Sequence, residues 1–232
     1  MNQPLNQPLN QPPAQPLDEP QTTPPAHPLA HPLDGPPDGL RTERLLIRRW
    51  RESDLAPWAA MNADPEVREH LGGPLTREQS DASVARFEDA IERRGYGWLA
   101  VEVRESGEFV GFAGLDDIEE TDPVDGVEIG WRLARSAWGH GYATEAARAV
   151  LGHAFDTLGL PEVLAITTAA NHRSRSVMRR LGMTHDPAED FDDPAAPDGP
   201  LRRNVVFRLR REDRSAQGDG NGRWGPPEAG DQ

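Results

Sequence analysis

The sequence predicts a mixed αβ domain in which helices pack on both faces of a mostly antiparallel sheet. Two strand-like runs, residues 98–104 and 109–116, flank the turn Glu105-Ser106-Gly107-Glu108 and predict a hairpin. From residue 127 to residue 210, strand-like and helix-like runs alternate. Hairpin-connected strands followed by this alternation are typical of such a sheet. The strand-like runs together predict six to seven strands.

The predicted helices have recognisable ends. Thr76-Arg77-Glu78-Gln79 is a capping box, in which the threonine accepts from the backbone and the glutamine reaches back. It opens a helix that runs to about Arg94, with Val84, Phe87 and Ile91 on one face. The remaining predicted elements are a helix capped by Ser53 or Asp54 that runs toward Asn62, helices over residues 144–158 and 173–181, and strands over residues 45–50, 127–133, 163–168 and 205–210.

The composition excludes several kinds of chemistry. All 25 basic residues are arginines, so there is no lysine nucleophile, Schiff base or phosphate-loop lysine. Without cysteine there is no disulfide, thiolate metal site or cysteine nucleophile. The formal net charge of -14 disfavours non-specific binding to nucleic acid or anionic membranes. No run approaches the roughly 20 apolar residues of a membrane span, and no signal-peptide pattern is present, which predicts a cytoplasmic protein.

The chain divides into one domain and two terminal segments. Residues 1–39 hold 12 of the 23 prolines and repeat Asn-Gln-Pro-Leu at Asn2 and Asn6, which predicts a disordered arm. Residues 212–232 are rich in glycine, proline and aspartate and predict a disordered acidic tail. Residues 40–211 are long enough for one ordinary domain.

The most informative segment joins a strand to a helix through two glycines. The strand at residues 127–133 is followed by Trp138-Gly139-His140-Gly141-Tyr142-Ala143, which enters the helix. The first backbone N–H groups of a helix have no partner within it, and the helix dipole adds partial positive charge there. Glycine keeps side chains away from the backbone, so a phosphate can approach these amides. The segment therefore predicts an anion site.

Other interpretations of this segment remain open at this point. A dinucleotide-binding motif requires glycine or alanine where Thr144 stands, and also an earlier strand in the domain. A phosphate-loop NTPase requires the missing lysine. A tight strand-to-helix turn would explain the two glycines alone.

Four stretches of residues 40–211 follow one another in an order that is specific when they are taken together. They are Thr42-Glu43-Arg44-Leu45, Glu128-Ile129-Gly130-Trp131, the run from Trp138 to Ala146, and the run from Asn171 to Met183. In these stretches the chain resembles the GNAT superfamily of acyl-coenzyme A N-acyltransferases. It is most similar to the branch that contains the ribosomal-protein N-terminal-alanine acetyltransferases.

The resemblance implies that the strands at residues 127–133 and 163–168 splay apart and that acetyl-coenzyme A lies between them as a cosubstrate, without a metal. The backbone of residues 129–133 would bond the pantetheine arm, the amides of residues 139–144 would hold the pyrophosphate, and Asn171 would bond the arm from the other side. The implied coenzyme contacts are Ile129, Trp131, Leu133, Trp138, Gly139, His140, Gly141, Tyr142, Ala143, Thr144 and Asn171.

The sequence departs from the family pattern at the general acid. Many members carry a tyrosine seven residues after the asparagine, to protonate the leaving thiolate, but Met178 stands there. A thiol has a pKa near ~8.5, so this acid contributes ~2 kcal/mol at most near neutral pH. Ser174 lies on the same helix face as Asn171 and is the candidate donor, directly or through water. The alternative is that Ser174 is an ordinary polar residue of the first turn.

The attacking amine also needs a base, because it must be neutral to attack. Glu128, on the strand beside the thioester, is the candidate, acting directly or through a water. The alternative is an exposed strand glutamate or an ion-pair partner for Arg132. His140 is expected to contact phosphate, and His70 and His153 are expected to be structural.

These observations predict an N-acetyltransferase that moves an acetyl group to a primary amine by direct attack in a ternary complex. Neither cysteine nor lysine is present to carry the acetyl group covalently, and a backbone N–H near Trp131 would polarise the thioester. The acceptor is either a protein N-terminus or a small cationic amine, such as an aminoglycoside or polyamine, facing the acidic loops at residues 116–125 and 186–198. A non-catalytic acyl-coenzyme A sensor is the rival, motivated by Met178. The expected assembly is a monomer or homodimer.

Overall fold

The computed structural model describes residues 39–118 and 123–214. The strands are β1 (Leu40–Arg41), β2 (Leu45–Arg48), β3 (Trp98–Val103), β4 (Phe109–Asp117), β5 (Val127–Leu133), β6 (Glu162–Thr168), β7 (Thr184–His185), β8 (Phe191–Asp192) and β9 (Arg203–Arg210). The helices are α1 (Leu55–Ala63), α2 (Arg77–Arg94), α3 (Tyr142–Gly152), α4 (His172–Arg180) and α5 (Arg211–Arg214).

Within the described residues, nine strands form one sheet in the order β1-β2-β3-β4-β5-β6-β9-β7, with β8 also paired to β9. The predicted mixed, mostly antiparallel fold is confirmed. The sheet has more strands than the six to seven predicted, because β1, β7 and β8 have two residues each and are too short to show a sequence pattern.

The centre of the sheet is open between β5 and β6. These strands run parallel, and their single described pair joins Glu128 to Leu164. In contrast, β5 pairs along its whole length with β4, from Leu133 with Gly111 to Val127 with Asp117. The residues of β5 after Glu128 therefore border a gap in the sheet, as the implied splay requires.

Helices cover both faces of the sheet. On one face α1 and α2 enclose an aromatic cluster, whose ring members are Trp50, Trp58, Phe87, Trp98 and Phe112. On the other face α3 packs its buried residues against β5, including Ala146, Val150 and Leu151. Consecutive residues of β5 point to opposite faces, so each of its side chains belongs to one of these two layers.

The predicted capping box of α2 is present. Gln79 N donates to Thr76 Oγ1 at 3.2 Å, and Thr76 N donates to Gln79 Oε1 at 2.8 Å. The predicted cap of α1 is different. Asp54 is buried and pairs with Arg48, with Oδ2 and Nη1 2.7 Å apart, instead of capping α1 with its side chain.

The terminal segments lie mostly outside the described residues. This applies to the predicted arm at residues 1–39, apart from Gly39, and to the predicted tail beyond residue 214. Residues 212–214 belong to α5, and Arg214 pairs with Asp156 at 2.6 Å, so the folded part extends past the predicted boundary at residue 211. In the described part of the chain, no helix is long and apolar enough to cross a membrane.

Candidate active site

The glycine loop between β5 and α3 has the backbone geometry of an anion site. Gly139 and Gly141 have φ angles of 82° and 79°, in the left-handed region that favours glycine. Gly141 caps α3, and Glu145 N donates to its carbonyl at 3.1 Å. The amides of residues 142–144 precede this first helical bond, so they have no carbonyl partner four residues back. A Cβ placed on Gly139 would meet nothing within 4 Å, so the loop is open on that side.

A carboxylate in the first turn of α3 ties the loop to the segment between β1 and β2. Glu145 Oε1 accepts from Thr42 Oγ1 at 2.6 Å and from Arg44 N at 2.9 Å, and Oε2 accepts from Arg44 Nε at 2.7 Å. Arg44 Nη1 also donates to the carbonyl of His140 at 2.9 Å. Burial alone would raise the pKa of Glu145, but the hydrogen bonds from Thr42 and Arg44 outweigh it and hold the pKa below its ordinary value. The conformation of the loop is therefore held from outside.

Arginines surround the loop. Arg180 Nη1 donates to Thr144 Oγ1 at 3.2 Å, and Arg148 Nη2 donates to the carbonyl of Arg180 at 3.4 Å. The Arg173 guanidinium lies 4.3 Å from the centre of the Trp138 ring. Burial, and then the charge of Arg180, lower the pKa of Arg148. Concentrated positive charge beside free helix amides fits the phosphate groups of a coenzyme.

A groove of about 1280 Å³ runs from this loop through the gap between β5 and β6. It brings together the predicted site residues Glu128, Ile129, Trp131, Leu133, Trp138, Gly139, Gly141, Tyr142, Ala143, Thr144, Asn171 and Ser174. The exposed His140 side chain stacks on the Tyr142 ring, with the ring centres 5.4 Å apart, and is not among the residues that line the groove, so its coenzyme contact stays a prediction. Its backbone carbonyl is the group that anchors the loop.

Asn171 and Ser174 lie on the far wall of the groove. Asn171 caps α4, and its Oδ1 accepts from Ser174 N at 3.1 Å. Its Nδ2 donates to Thr167 Oγ1 at 3.0 Å, so the amide is held in one orientation. Ser174 lies one helical turn after Asn171 and lines the same groove.

The position of the missing tyrosine is buried. Met178 is a residue of α4, is 1% exposed and packs its side chain in the core. The two tyrosines of the sequence have other roles: Tyr96 donates to Asp117 at 2.5 Å, and Tyr142 stacks beneath Arg44. Neither tyrosine replaces the acid that the family pattern places at residue 178.

The other end of the groove is lined by side chains on the face covered by α1 and α2. Glu128 is half-buried and lies directly across from Asp116 of β4. Arg94 pairs with Asp116 and also with Asp117, the second at 2.7 Å. Burial raises the pKa of Asp116 and outweighs the opposing effect of Arg94. Glu128 therefore faces the groove beside a carboxyl group that is already held by an arginine.

The Trp98 ring fills the space next to Glu128. A Cβ placed on Gly130 would lie 2.9 Å from Cη2 of Trp98, so only glycine fits beneath the ring at this position. Gly114, the cross-strand partner of both residues, has no room for a side chain either, because its Cβ would lie 2.0 Å from the carbonyl oxygen of Gly97. Gly130 of the Glu128-Ile129-Gly130-Trp131 motif thus lets Trp98 lie over the sheet.

Arg132 and His70 also line the groove. Arg132 Nη1 donates to Asn62 Oδ1 at 2.9 Å, so the bond that positions Arg132 goes to α1. His70, expected to be structural, lines the groove with a buried Nδ1 that has no hydrogen-bond partner. Burial lowers the pKa of His70, which favours its neutral form. Arg132 could have been recognised from its spacing, because it lies four residues after Glu128 on the same face of a strand.

Most described acids of the loop at residues 186–198 have partners within the protein. Asp190 Oδ1 lies 2.8 Å from His185 Nε2, and Asp198 pairs with Arg202 at 2.9 Å. The further pairs are Asp192 with Arg203 at 3.3 Å and Glu189 with Arg208 at 2.7 Å. This pairing weakens the argument that the loop attracts a cationic acceptor. Within residues 39–118 and 123–214, no group of three or more histidine, aspartate or glutamate side chains is arranged to hold a metal ion.

Residues 44–184 match the acetyltransferase (GNAT) domain family, and the chain belongs to this family. It is 32% identical over 164 residues to the FsC-acetyl coenzyme A-N(2)-transacetylase of Aspergillus fumigatus, a match that covers 66% of this chain and 68% of the relative.

Solved structures of acetyltransferases share the fold. An acetyltransferase from Agrobacterium tumefaciens is 30% identical and superposes with a TM-score of 0.60, covering 74% of this chain and 93% of that one. A ribosomal-protein alpha-N-acetyltransferase in complex with coenzyme A superposes with a TM-score of 0.58 at 16% identity, covering 73% and 95%. The dinucleotide-binding and NTPase interpretations of the glycine loop are thereby excluded.

Proposed function

We propose that the protein is an acetyl-coenzyme A-dependent N-acetyltransferase that acts on a primary amine by direct attack in a ternary complex. The observation that carries this proposal is the continuity of one groove, from the open amides of residues 139–144 to Glu128. An anion-binding end and a carboxylate end in one groove suit a thioester donor and an amine acceptor. The relative from Aspergillus fumigatus, named as an acetyl-coenzyme A transacetylase, supports the same class of reaction.

The coenzyme would be held mainly by backbone groups. The amides at the start of α3 bind the pyrophosphate, and the positive φ of Gly139 and Gly141 keeps them accessible. Arg148 and Arg180 contribute positive charge at the same end. The exposed backbone of β5 after Glu128 bonds the pantetheine arm on one side, and Asn171 bonds it on the other. When bound, acetyl-coenzyme A supplies the thioester carbonyl that the amine attacks.

During the transfer, three groups of this chain would move protons and stabilise the negative charge that develops. Glu128 accepts a proton from the attacking amine, directly or through a water, as the new C–N bond forms. A backbone N–H near Trp131 donates to the carbonyl oxygen while negative charge develops on it. The Ser174 hydroxyl, directly or through water, gives a proton to the sulfur as the C–S bond breaks. The products are an amide and a thiol.

The acceptor is either a protein N-terminus or a small amine, and the rival proposal is a non-catalytic acyl-coenzyme A sensor. Buried Met178 is the observation that favours the sensor, because it leaves no tyrosine acid. Mass spectrometry of acetyl transfer to a panel of peptides, aminoglycosides and polyamines separates these possibilities. We expect a mass gain of one acetyl group on at least one amine. Tight binding of acetyl-coenzyme A with no transfer to any amine would establish the sensor.

A further inference from the structure

Two arginines without a carboxylate partner lie next to the acceptor end of the groove. Arg68 is 1% exposed and donates to the backbone carbonyls of Gly73 at 2.7 Å and Leu71 at 2.6 Å. Arg132 donates to Asn62 and lies over two aromatic rings of the α1 and α2 layer. Within the described residues, neither guanidinium forms an ion pair with an aspartate or glutamate.

This arrangement leaves positive charge uncompensated. Burial lowers the pKa of Arg68 to about 10, and burial followed by the charge of Arg68 lowers that of Arg132 to about 9. Both side chains remain protonated at neutral pH, so two like charges are held close together in a poorly hydrated region. Buried charges of this kind cost free energy unless an opposite charge lies beside them. An anion in the groove would supply that charge.

The Arg132 guanidinium has N–H donors that form no hydrogen bond within the described residues. Nη1 is engaged by Asn62, whereas Nε is buried and has no hydrogen-bond partner. Nη2 has no hydrogen bond to a described group, and the N–H donors of a guanidinium form strong charge-assisted hydrogen bonds to carboxylate oxygens. Arg132 lines the groove, and Arg68 lies behind it.

Glu128 and Arg132 stand on the same face of β5, four residues apart. At about 3.3 Å per residue their Cα atoms are about 13 Å apart. Gly130 lies between them with the Trp98 ring over it, so this interval has an apolar floor. A carboxylate at one end and a guanidinium at the other complement a molecule that has an amine and an anionic group.

We propose that the acceptor amine also carries a carboxylate, and that Arg132 binds this carboxylate while Arg68 strengthens the positive potential behind it. The inference rests on the proposed acetyl transfer, and it narrows the acceptor to one chemical class. The carboxylate belongs either to a free amino acid or to an acidic side chain at a peptide N-terminus. A polyamine or aminoglycoside would place further positive charge beside two unpaired arginines.

The test compares acceptors that differ only in the carboxylate. Alanine and alaninamide form one pair, and the peptide amides Glu-Ala-Ala and Gln-Ala-Ala form the other. In one of the two pairs, we expect Arg132→Met to lower kcat/KM at least tenfold more for the acid than for the neutral member. If this is the alanine pair, the carboxylate is that of a free amino acid; if it is the peptide pair, the carboxylate is that of an acidic side chain. Comparing the variant with wild type cancels the difference in amine pKa within a pair. Equal losses for acid and neutral members of both pairs would overturn the proposal.

Two further variants guard against a trivial result. Arg132→Lys keeps the positive charge but loses the planar guanidinium. We expect this variant to retain part of the preference for the acid, even if Arg132→Met folds poorly. Arg135→Met removes an exposed arginine that pairs with Glu66 nearby, and should leave the preference unchanged. If Arg135→Met removes the preference to the same extent as Arg132→Met, general electrostatics rather than an Arg132 site is responsible.

A binding measurement separates this inference from acetyl transfer itself. Calorimetry of the full chain with N-acetylalanine and its amide, and with the N-acetylated peptide pair, requires no turnover. Tighter binding of one acid, lost in Arg132→Met, would support the carboxylate site even if no amine were acetylated. Acids that bind no more tightly than their amides would contradict the site even if acetyl transfer were observed.

Discussion

The two ends of the groove present different kinds of groups, backbone amides at one end and side chains at the other. At the proposed coenzyme end the groups that would bind are backbone amides, made available by Gly139 and Gly141 and held in place by Glu145. At the proposed acceptor end the walls are side chains, including Glu128 and Arg132 of β5 and Trp98 of β3. The proposed coenzyme contacts therefore depend on backbone geometry, whereas the proposed acceptor contacts depend on the identity of particular side chains.

We expect the largest effect from a substitution in the glycine loop, at the end of the groove formed by backbone amides. Gly141→Asp forces a side chain onto a residue with φ of 79° and adds negative charge beside the phosphates. We expect acetyl-coenzyme A affinity to fall by roughly 100-fold or more, equivalent to about 2.7 kcal/mol, as measured by calorimetry. Gly159→Asp is the matched control, because Gly159 has φ of 72° at the far end of the same helical segment. Both variants should lose stability, but only Gly141→Asp should lose affinity for acetyl-coenzyme A. Unchanged affinity in Gly141→Asp would disprove phosphate binding by the amides of residues 139–144.

The next effect tests the side-chain end. Glu128→Gln removes the proposed base, and we expect the transfer rate to fall about 100-fold at low pH, where the amine is protonated and most needs a base. The loss should shrink as the pH approaches the pKa of the amine. Glu105→Gln, at an exposed turn, serves as the control. A pH–rate profile that matches wild type would remove Glu128 from the mechanism.

A smaller effect is expected where the two ends meet. Ser174→Ala should lower kcat by at most about 30-fold, because a thiolate is a modest base and the acid contributes only ~2 kcal/mol. Ser176→Ala is the control on the same helix, since its hydroxyl donates to the carbonyl of His172 at 2.8 Å. Equal rates for the two variants would assign the proton to water.

The smallest effect on coenzyme binding concerns the tie between the loop and residues 42–44. Glu145→Gln should weaken acetyl-coenzyme A binding by roughly threefold to tenfold and lower the free energy of unfolding by about 1–3 kcal/mol. The pKa of Glu145 is lowered in the folded state, so its stabilisation is fully present above the ordinary value of 4.5 and is lost as the pH falls below it.

Denaturant unfolding at pH 7 and below pH 4 checks this sign. The difference in stability between wild type and Glu145→Gln should shrink on acidification. A difference that stays constant over this range would show that the carboxylate charge of Glu145 does not hold the loop.

The contrast between the two ends also explains which features could be predicted from the sequence. The start of α2 at Thr76 is local, so a few adjacent residues fix it, whereas α3 begins at Tyr142 and not at the predicted Thr144. The partnership of Thr42 and Glu145 spans 103 residues, and no local pattern announces it. The environment of Arg132 combines Asn62 and Arg68 from distant parts of the chain with Phe112 of β4. The glycine loop and the candidate Glu128 could therefore be named from local sequence, whereas the surroundings of Arg132 became visible only in the tertiary structure.

Calorimetric titration of the purified full chain with acetyl-coenzyme A tests the central claim most directly. We predict one binding site per chain, with affinity that weakens as salt is added because arginines and helix amides hold phosphate groups. Absence of binding heat, at two temperatures and with longer acyl-coenzyme A analogues as well, would contradict the account.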